Sequence, residues 1–325
     1  MLYIGVDVGG MSIKAGLVDE EGNILYKHSC PTGVERGYVA VIRDIAQLGL
    51  ATVAKSGHSM DEVKAIGIGI PGIMDQRTGI VPFCTNLAWH DVPILEEMKQ
   101  YTDLPVYVDN DATVAGLAES VKGVSAGTKD SVFVTLGTGV GGGIIINGKP
   151  FSGAHGVASE IGHMVTVAGG LPCTCGKRGC WERYASATAL IRAGRVLCAE
   201  KPGCPLMQAV DGDIRTLTAK DVIDLAMDGD ADCVKIFDDY IYHLVVGLTN
   251  LINVYDPEVI VLGGGVSHSG EFLLNAVRAL LPKYVFFKSM PYAKVELAQL
   301  TNDAGIFGAA MLGRFILFCR GLAPV

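Results

Sequence analysis

The chain has 325 residues, room for two domains of ordinary size, and half of its residues are hydrophobic. Lysine and arginine number 26 against 34 aspartates and glutamates, a formal charge of −8, and no long basic run occurs. This balance argues against nucleic acid or an anionic membrane as the main partner, and leaves room for small anions held by local dipoles. No basic leader precedes Asp7, and Arg314 interrupts the one C-terminal candidate for an apolar span of about 20 residues, so a soluble, cytoplasmic protein is expected.

Tyr3–Val8, Ser12–Val18 and Asn23–His28 read as a β-meander, with Asp19-Glu20-Glu21-Gly22-Asn23 as the turn before its third strand. Val39–Ala54 reads as a helix. Ala65–Ile70 and Pro105–Val108 read as buried strands, and Ala112–Val121 as a helix that starts just after Asn110-Asp111, both good N-cap types. The pattern then restarts. Ser131–Leu136 and Gly143–Ile146 read as strands, with Asn147-Gly148 a hairpin turn. Apolar residues from Phe237 to Ile252 recur at helical spacing, and that helix stops before Asp256-Pro257. Glu258–Leu262 reads as a buried strand ending in Gly263-Gly264-Gly265. Asp303–Phe318 reads as a last helix, rich in Gly and Ala and so able to pack closely.

Alternation of the two element types predicts an α/β protein. Ile4-Gly5-Val6-Asp7-Val8-Gly9-Gly10 and Phe133-Val134-Thr135-Leu136-Gly137-Thr138-Gly139 each put a strand and a glycine turn at the head of a half-chain, a weak internal repeat. The boundary is placed near Val121–Lys129. The expected division is a domain over residues 1–121, completed by a C-terminal helix at 303–325, and a second over 122–302, with a cleft between two helix-covered sheets.

Gly137-Thr138-Gly139-Val140-Gly141-Gly142 contains G-x-G-x-x-G, but a dinucleotide-binding loop opens a helix and this one runs on into a strand and hairpin. No G-x-x-x-x-G-K-[ST] occurs. What remains is a glycine hairpin whose bare N–H groups can approach phosphate oxygens, set against a plain tight turn. Two such loops plus the cluster at Gly263–Gly265 favour phosphate. Asp7, at the mouth of the first loop, suits a hydrated Mg²⁺.

Six of the nine cysteines (Cys30, Cys84, Cys198, Cys204, Cys233, Cys319) are scattered and read as small buried hydrophobes. The others crowd into Cys173-Thr174-Cys175-Gly176-Lys177-Arg178-Gly179-Cys180, with His163 ten residues upstream. Three thiols and an imidazole make a closed tetrahedral set suited to a structural Zn²⁺. Glu160 and Glu182 flank this segment, where their carboxylates could grip a polyol.

Taken together, Asp7-Val8-Gly9-Gly10, Asn110-Asp111, Glu160-Ile161-Gly162-His163 and the Cys173–Glu182 segment resemble the ROK family (repressors, open reading frames, sugar kinases), most closely its bacterial glucokinases. The resemblance runs from Ile4 to the last helix. Its most specific part is C-x-C-G-x-x-G-C-x-E after E-x-G-H.

The resemblance implies an actin-like ATPase (ribonuclease H-like) fold with sugar and nucleotide in the interdomain cleft, and ATP-dependent phosphorylation of a hexose. Glucose, giving glucose 6-phosphate, is the first expectation. N-acetylmannosamine, N-acetylglucosamine, fructose and allose are the alternatives, and a sugar-responsive regulator is a further one. Asp7, Gly9, Gly10, Ser12, Lys14, Thr138 and Gly139 resemble the family's phosphate and Mg²⁺ residues, and Gly264-Gly265 those by adenosine. Gly72, Asn86, Asn110, Asp111, Glu160, His163 and Glu182 resemble its sugar ligands. Asp111 matches the catalytic base, and His163 would serve both Zn²⁺, with Cys173, Cys175 and Cys180, and a sugar hydroxyl. A homodimer or homotetramer is also implied. The chain departs from the family at Met11, where the usual threonine would offer a hydroxyl, so that Ser12 or the backbone must hold the phosphate there.

Overall fold

The computed structural model describes residues 1–300 and 303–319. Residues 301–302 and 320–325, which end the two expected domain spans, and the Phe318 and Cys319 side chains lie outside the described residues.

The meander forms as β1 (Leu2–Val8), β2 (Ser12–Asp19) and β3 (Ile24–Pro31). Its second turn closes on Asp19, whose carboxylate accepts from Asn23 N at 2.7 Å and Asn23 Nδ2 at 2.9 Å. Helix α1 (Tyr38–Ser56) follows, then β4 (Val63–Ile70). Three short strands that the sequence pattern did not reveal come next: β5 (Ile73–Asp75), β6 (Ile80–Cys84) and β7 (Trp89–Val92). They pair only with one another, in the order β5-β6-β7. Helix α2 (Ile94–Met98) leads to β8 (Val106–Asn110) and α3 (Asp111–Lys122).

After β9 (Ser131–Leu136) and β10 (Val140–Ile146), the turn at Asn147-Gly148 takes positive φ at both residues (52° and 71°), as a two-residue hairpin requires, and returns into β11 (Lys149–Pro150). Strand β10 begins at Val140 rather than Gly143, so only Gly137–Gly139 are left to form the loop. The helices α4 (Glu182–Ala185), α5 (Ala187–Glu200), α6 (Pro205–Ala209), α7 (Ala219–Met227) and α8 (Ala231–Tyr255) follow. Helix α8 ends where Asp256 turns left-handed at φ 44°, just before Pro257. The chain continues through β12 (Val259–Gly263), α9 (Glu271–Leu280) and β13 (Lys294–Leu297) to α10 (Ala304–Cys319).

The chain divides into two compact units: Met1–Gly127, Gly143–Ser159 and the described chain from Gln299 on; and Thr128–Gly142 with Glu160–Ala298. The division is therefore not linear at 121/122. Gly143–Ser159 joins the first unit because it packs there: a Cβ on Gly143 would lie 2.5 Å from the Ala112 carbonyl oxygen, and one on Gly156 would lie 2.6 Å from that of Met74.

In the first unit the sheet order is β3-β2-β1-β4-β8, with β1, β4 and β8 parallel. Strand alternation sorts its two faces. Ile4, Val6, Ile66 and Ile68 pack with Val41, Ile42 and Ile45 of α1. Tyr3 and Ala65 pack on the other face with Val114 and Leu117 of α3 and Ile306, Ala309 and Ala310 of α10. Glycines on that face let α10 come very close. In the second unit α8 is the spine, with α4, α5, α7 and α9 packed around it. The second sheet runs β11-β10-β9-β12-β13. Among the described residues no helix is long and apolar enough to cross a membrane.

The close approach of α10 is testable. A Cβ on Gly67 would sit 1.7 Å from the Ala309 carbonyl oxygen, a clash with backbone that no rotamer relieves. Gly67→Ala is expected to cost about 1–3 kcal/mol or more, as overpacking does, and to lower the melting temperature. Gly203→Ala, where a Cβ meets nothing within 4 Å, serves as the neutral control in the same thermal melt.

Candidate active site

In the first unit the candidate residues gather at the ends of β1, β4 and β8. Asp7 sits across the β1–β2 ladder from Lys14, with Lys14 Nζ 4.0 Å from Asp7 Oδ2. Burial raises the Asp7 pKa, and the Lys14 ammonium opposes the shift. A Cβ on Gly305, in the first turn of α10, would lie 2.5 Å from the Asp7 carboxyl carbon, so this carboxylate faces the positive end of a helix.

The loop beyond Asp7 is tight. Gly9 N donates to Ser12 O at 2.9 Å, and Gly10 rests against Asn86, whose carbonyl oxygen would be 3.2 Å from an added Cβ. The Met11 side chain is 90% exposed, so it packs under nothing.

Strand β8 extends through Asn110, which is at once the last extended residue and the N-cap of α3; Asp111 is the first helical residue. The Asn110 side chain is used at both ends. Oδ1 accepts from Ala112 N at 2.9 Å, and Nδ2 donates to Gly72 O at 3.2 Å. Asp111 Oδ1 also accepts from Ala112 N at 2.8 Å, and the residue is exposed. Asp111 is thus an exposed residue with a carboxylate oxygen on the N-terminus of α3. Gly72 must be small, since a Cβ there would meet Cys84 Cβ at 2.7 Å. The Cys84 thiol donates to Pro71 O at 3.2 Å; burial pushes it up to about 11, and Asp111 adds to the shift. Cys84, one of the scattered cysteines, therefore stands at this site.

The second unit holds the other candidates. Gly137 N donates to Gly139 O at 3.0 Å, closing the loop between β9 and β10. Gly264, at φ 83°, would carry a Cβ 2.7 Å from the backbone of Leu136, so the glycine turn after β12 lies at the foot of that loop. Gly265 opens the 3₁₀ turn Gly265–Ser269 and faces open space.

His163 ends the 3₁₀ turn Ile161–His163 and turns Nδ1 to Cys173 Sγ at 3.7 Å. Cys175 Sγ and Cys180 Sγ are 3.5 Å apart, and the ligand atoms of His163, Cys173, Cys175 and Cys180 all lie within 4.8 Å of one another. The four could hold a metal ion. Two glycines with positive φ, Gly176 and Gly179, fold the loop back so that Pro172 bridges Arg178.

Trp181, wholly buried, fixes the chain just beyond this loop. Its Nε1 donates to His243 O at 2.8 Å, and its ring fills the space a Cβ on Gly247 would occupy. Glu182, the next residue, accepts from Cys173 Sγ at 3.0 Å, and a Cβ on Gly139 would lie 2.6 Å from Glu182 Oε2. One carboxylate thus touches both the cysteine loop and the glycine loop. Glu160 reaches out at the surface, but surrounding protein still raises its pKa, with Glu182 adding and His163 opposing.

A profile of the ROK family matches residues 3–314. The chain belongs to the ROK family. A glucokinase of Halalkalibacterium halodurans is 39% identical over 95% of this chain and 94% of its own length. A glucokinase of Thermotoga maritima is 37% identical over 95% and 96%. The solved structure of a ROK glucokinase from Streptomyces griseus, in complex with glucose and AMPPNP, aligns with a TM-score of 0.81 at 37% identity, covering 97% of this chain and all of that one. The ROK sugar kinases share an actin-like ATPase fold of α/β domains, and the sheets and helices described above are built to that plan.

One residue beside the site carries no signal in the sequence pattern. Asp109, between Val108 and Asn110, is 8% exposed. It accepts from Asn110 N at 2.8 Å and from Ser152 Oγ at 3.5 Å. Burial outweighs both bonds and pushes its carboxyl up from 3.8 to about 6. Below pH 3.8 the group contributes nothing unfavourable. As pH rises through about 6 the folded protein must give up a proton it holds more tightly than the unfolded chain, so stability falls. Asp109→Asn keeps the shape and removes the charge. It is expected to be more stable than the parent at about pH 7.5, by up to about 3 kcal/mol, with the gain shrinking as pH falls below about 6 and vanishing only below pH 3.8. Thermal melts across that range check it; a gain that does not change with pH would mean that the charge is not the cause.

Proposed function

We propose that the protein transfers the γ-phosphoryl group of ATP to glucose, giving glucose 6-phosphate, with Asp111 as general base. It is an ATP-dependent hexose kinase. Supporting the choice of sugar are the glucokinases among its relatives and the related structure that holds glucose and AMPPNP. The observation that carries the mechanism is the Asn110-Asp111 pair at the start of α3: an exposed carboxylate, one oxygen on Ala112 N, beside an amide already braced on Gly72 O.

A sugar hydroxyl attacks phosphorus only if its proton has a place to go. A carboxylate oxygen of Asp111, at about 2.6–3.2 Å, accepts that proton as the new O–P bond forms and the bond from the γ-phosphorus to the ADP oxygen breaks. Asp111 is the first residue of α3, and a helix N-terminus is a favourable place for an anion. Within the first unit Asn110, Gly72 and Asn86 present polar groups suited to sugar hydroxyls, and within the second unit Glu160, Glu182 and His163 Nε2 do the same. In the first unit Gly9, Gly10, Ser12 and Lys14 are donors suited to phosphate; in the second unit Thr138 and Gly139 are such donors, and Gly264-Gly265 offer bare backbone to adenosine. Asp7 provides the hard oxygen that Mg²⁺ prefers, and the ion, when bound, offsets phosphate charge.

The cluster at His163 is read as a Zn²⁺ site. Ligands about 2.3 Å from a common tetrahedral centre lie about 3.7 Å apart, and the thiol pair at 3.5 Å and the thiol–imidazole pair at 3.7 Å fit that spacing. Four protein donors fill a tetrahedron, which makes the site structural: it would hold the loop that carries Glu182 and orient His163, whose Nε2 then stays free for a hydroxyl.

Purified protein with ATP–Mg²⁺ and a panel of glucose, fructose, allose, N-acetylglucosamine and N-acetylmannosamine should release ADP fastest with glucose. Asp111→Asn should lower turnover by about 10²–10⁴-fold with glucose binding kept. Preference for another sugar overturns the glucose assignment, and near-parental turnover removes Asp111 from the role. For the metal, protein purified without added zinc should carry one equivalent per chain. Cys175→Ser should lose it, together with melting temperature and sugar affinity. Zinc-free protein that melts and binds sugar as well as the loaded form would rule the site out.

A further inference from the structure

Two loop carbonyls, one in each unit, are gripped by a threonine hydroxyl at the same short distance. In the first unit Thr32 Oγ1 donates to Gly9 O at 2.6 Å, and Thr32 N donates to Met11 O at 3.1 Å. The Thr32 side chain is wholly buried. In the second unit Thr188 Oγ1 donates to Thr138 O at 2.6 Å, and Ala187 N donates to Gly137 O at 2.8 Å. Each loop is thus held on its acceptor side by two anchors.

A trans peptide carries its C=O and the following N–H on opposite edges of one plane. Pinning Gly9 O to Thr32 therefore aims the Gly10 N–H away from Thr32. Pinning Thr138 O to Thr188 aims the Gly139 N–H away from α5. Among the described residues neither N–H is taken up in another turn or loop hydrogen bond. Glycine loops lacking such an anchor would sample both orientations of these peptides cheaply, since glycine tolerates either sign of φ. Donors fixed before the ligand arrives stabilise charge better than donors that must be ordered by it.

We propose that Thr32 and Thr188 are positioning residues, each setting the peptide plane that presents an N–H to a nucleotide phosphate, Gly10 from the first loop and Gly139 from the second. The inference rests on the reading of these loops as ATP-binding. It adds two residues that touch no substrate themselves. Thr188 also extends the chain of contacts from the cysteine loop. Cys173 meets Glu182, Ser186 caps α5 by accepting from Ala189 N at 3.2 Å, and the first turn of that helix then holds the glycine loop. The cysteine segment and the glycine loop are thereby linked by a continuous run of contacts inside the second unit.

The experiment compares the parent with Thr32→Val, Thr188→Val, Thr32→Ser and Thr188→Ser. Valine keeps the shape and removes the hydroxyl; serine restores the hydroxyl and removes the methyl. Calorimetric binding of AMPPNP–Mg²⁺ without sugar is measured beside KM for ATP and for glucose. Each valine variant is expected to weaken AMPPNP binding and raise KM for ATP by about three- to tenfold, the range of one neutral hydrogen bond, with KM for glucose within about twofold of the parent. Each serine variant is expected to stay near the parent.

Valine variants that bind AMPPNP like the parent overturn the proposal. So do serine variants that fail as the valine ones do, because the packing of the side chain rather than its hydroxyl would then be responsible. If Thr32→Val does not fold, the half-exposed Thr188 supplies the decisive pair. A parent that binds AMPPNP yet phosphorylates no hexose breaks the kinase reading while the calorimetry still judges the loops; a parent that binds no AMPPNP overturns both.

Discussion

The approach of α10 to the first sheet is the constraint on which the first half of the site depends. Helices usually stand off a sheet by the length of their side chains. Here Gly5 and Gly67 on adjacent strands present no side chain at all, and the carbonyl oxygens of Ile306 and Ala309 occupy the space instead. Gly308 does the same toward α3, where a Cβ would meet the Val114 carbonyl oxygen at 2.0 Å. With the helix so close, its first turn arrives at the end of β1, and Gly305 faces Asp7. The half-buried carboxylate thereby gains a helix N-terminus on one side and Lys14 on another, which offset part of the cost of its desolvation. Dispersion over so intimate a contact also favours the arrangement.

The second unit solves a different problem. A loop rich in glycine and cysteine has little apolar surface with which to fix its own position. Trp181 supplies that surface by sinking against α8, where Gly247 makes room for the ring. The residues on either side inherit the placement. Cys180 before it closes the four-donor cluster, and Glu182 after it turns toward the glycine loop. Glu119 does comparable work in the first unit. Its buried carboxylate accepts from Val124 N at 2.9 Å and Leu300 N at 2.7 Å, tying the end of α3 to the chain that enters α10. In both units, then, functional groups are held by neighbours that do no chemistry of their own.

The two glycine loops show why small residues recur around phosphate candidates. At Gly72 a Cβ would meet Cys84 Cβ at 2.7 Å, and at Gly10 it would press on the Asn86 carbonyl oxygen at 3.2 Å. At Gly137 and Gly265 an added Cβ would meet nothing within 4 Å, so packing does not exclude a side chain there and glycine leaves the backbone uncovered. Absence of a Cβ serves close packing in the first case and access in the second.

Local elements and local chemistry were legible in the chain before any fold was known. The meander, the hairpin turn at Asn147-Gly148, the break at Asp256-Pro257 and the cap at Asn110 each depend on residues within a few positions of one another, so pattern and propensity suffice. The cysteine cluster with His163 was legible for the same reason, its four donors lying within one short stretch. The remaining features exist only through long-range packing. Nothing in the chain around Cys84 or Asp109 marks them, because what matters is burial beside Gly72, Asp111 and Ser152, set by strands far apart in sequence. The short strands β5, β6 and β7 have too few residues to show an alternation and exist because they pair with each other. Gly143–Ser159 joins the first unit through contacts with residues some 30 or more positions earlier. Thr32 and Thr188 read as ordinary threonines until folding brings their hydroxyls to Gly9 and Thr138. A hydrogen bond between residues 23 or 50 positions apart leaves no periodic trace in a sequence.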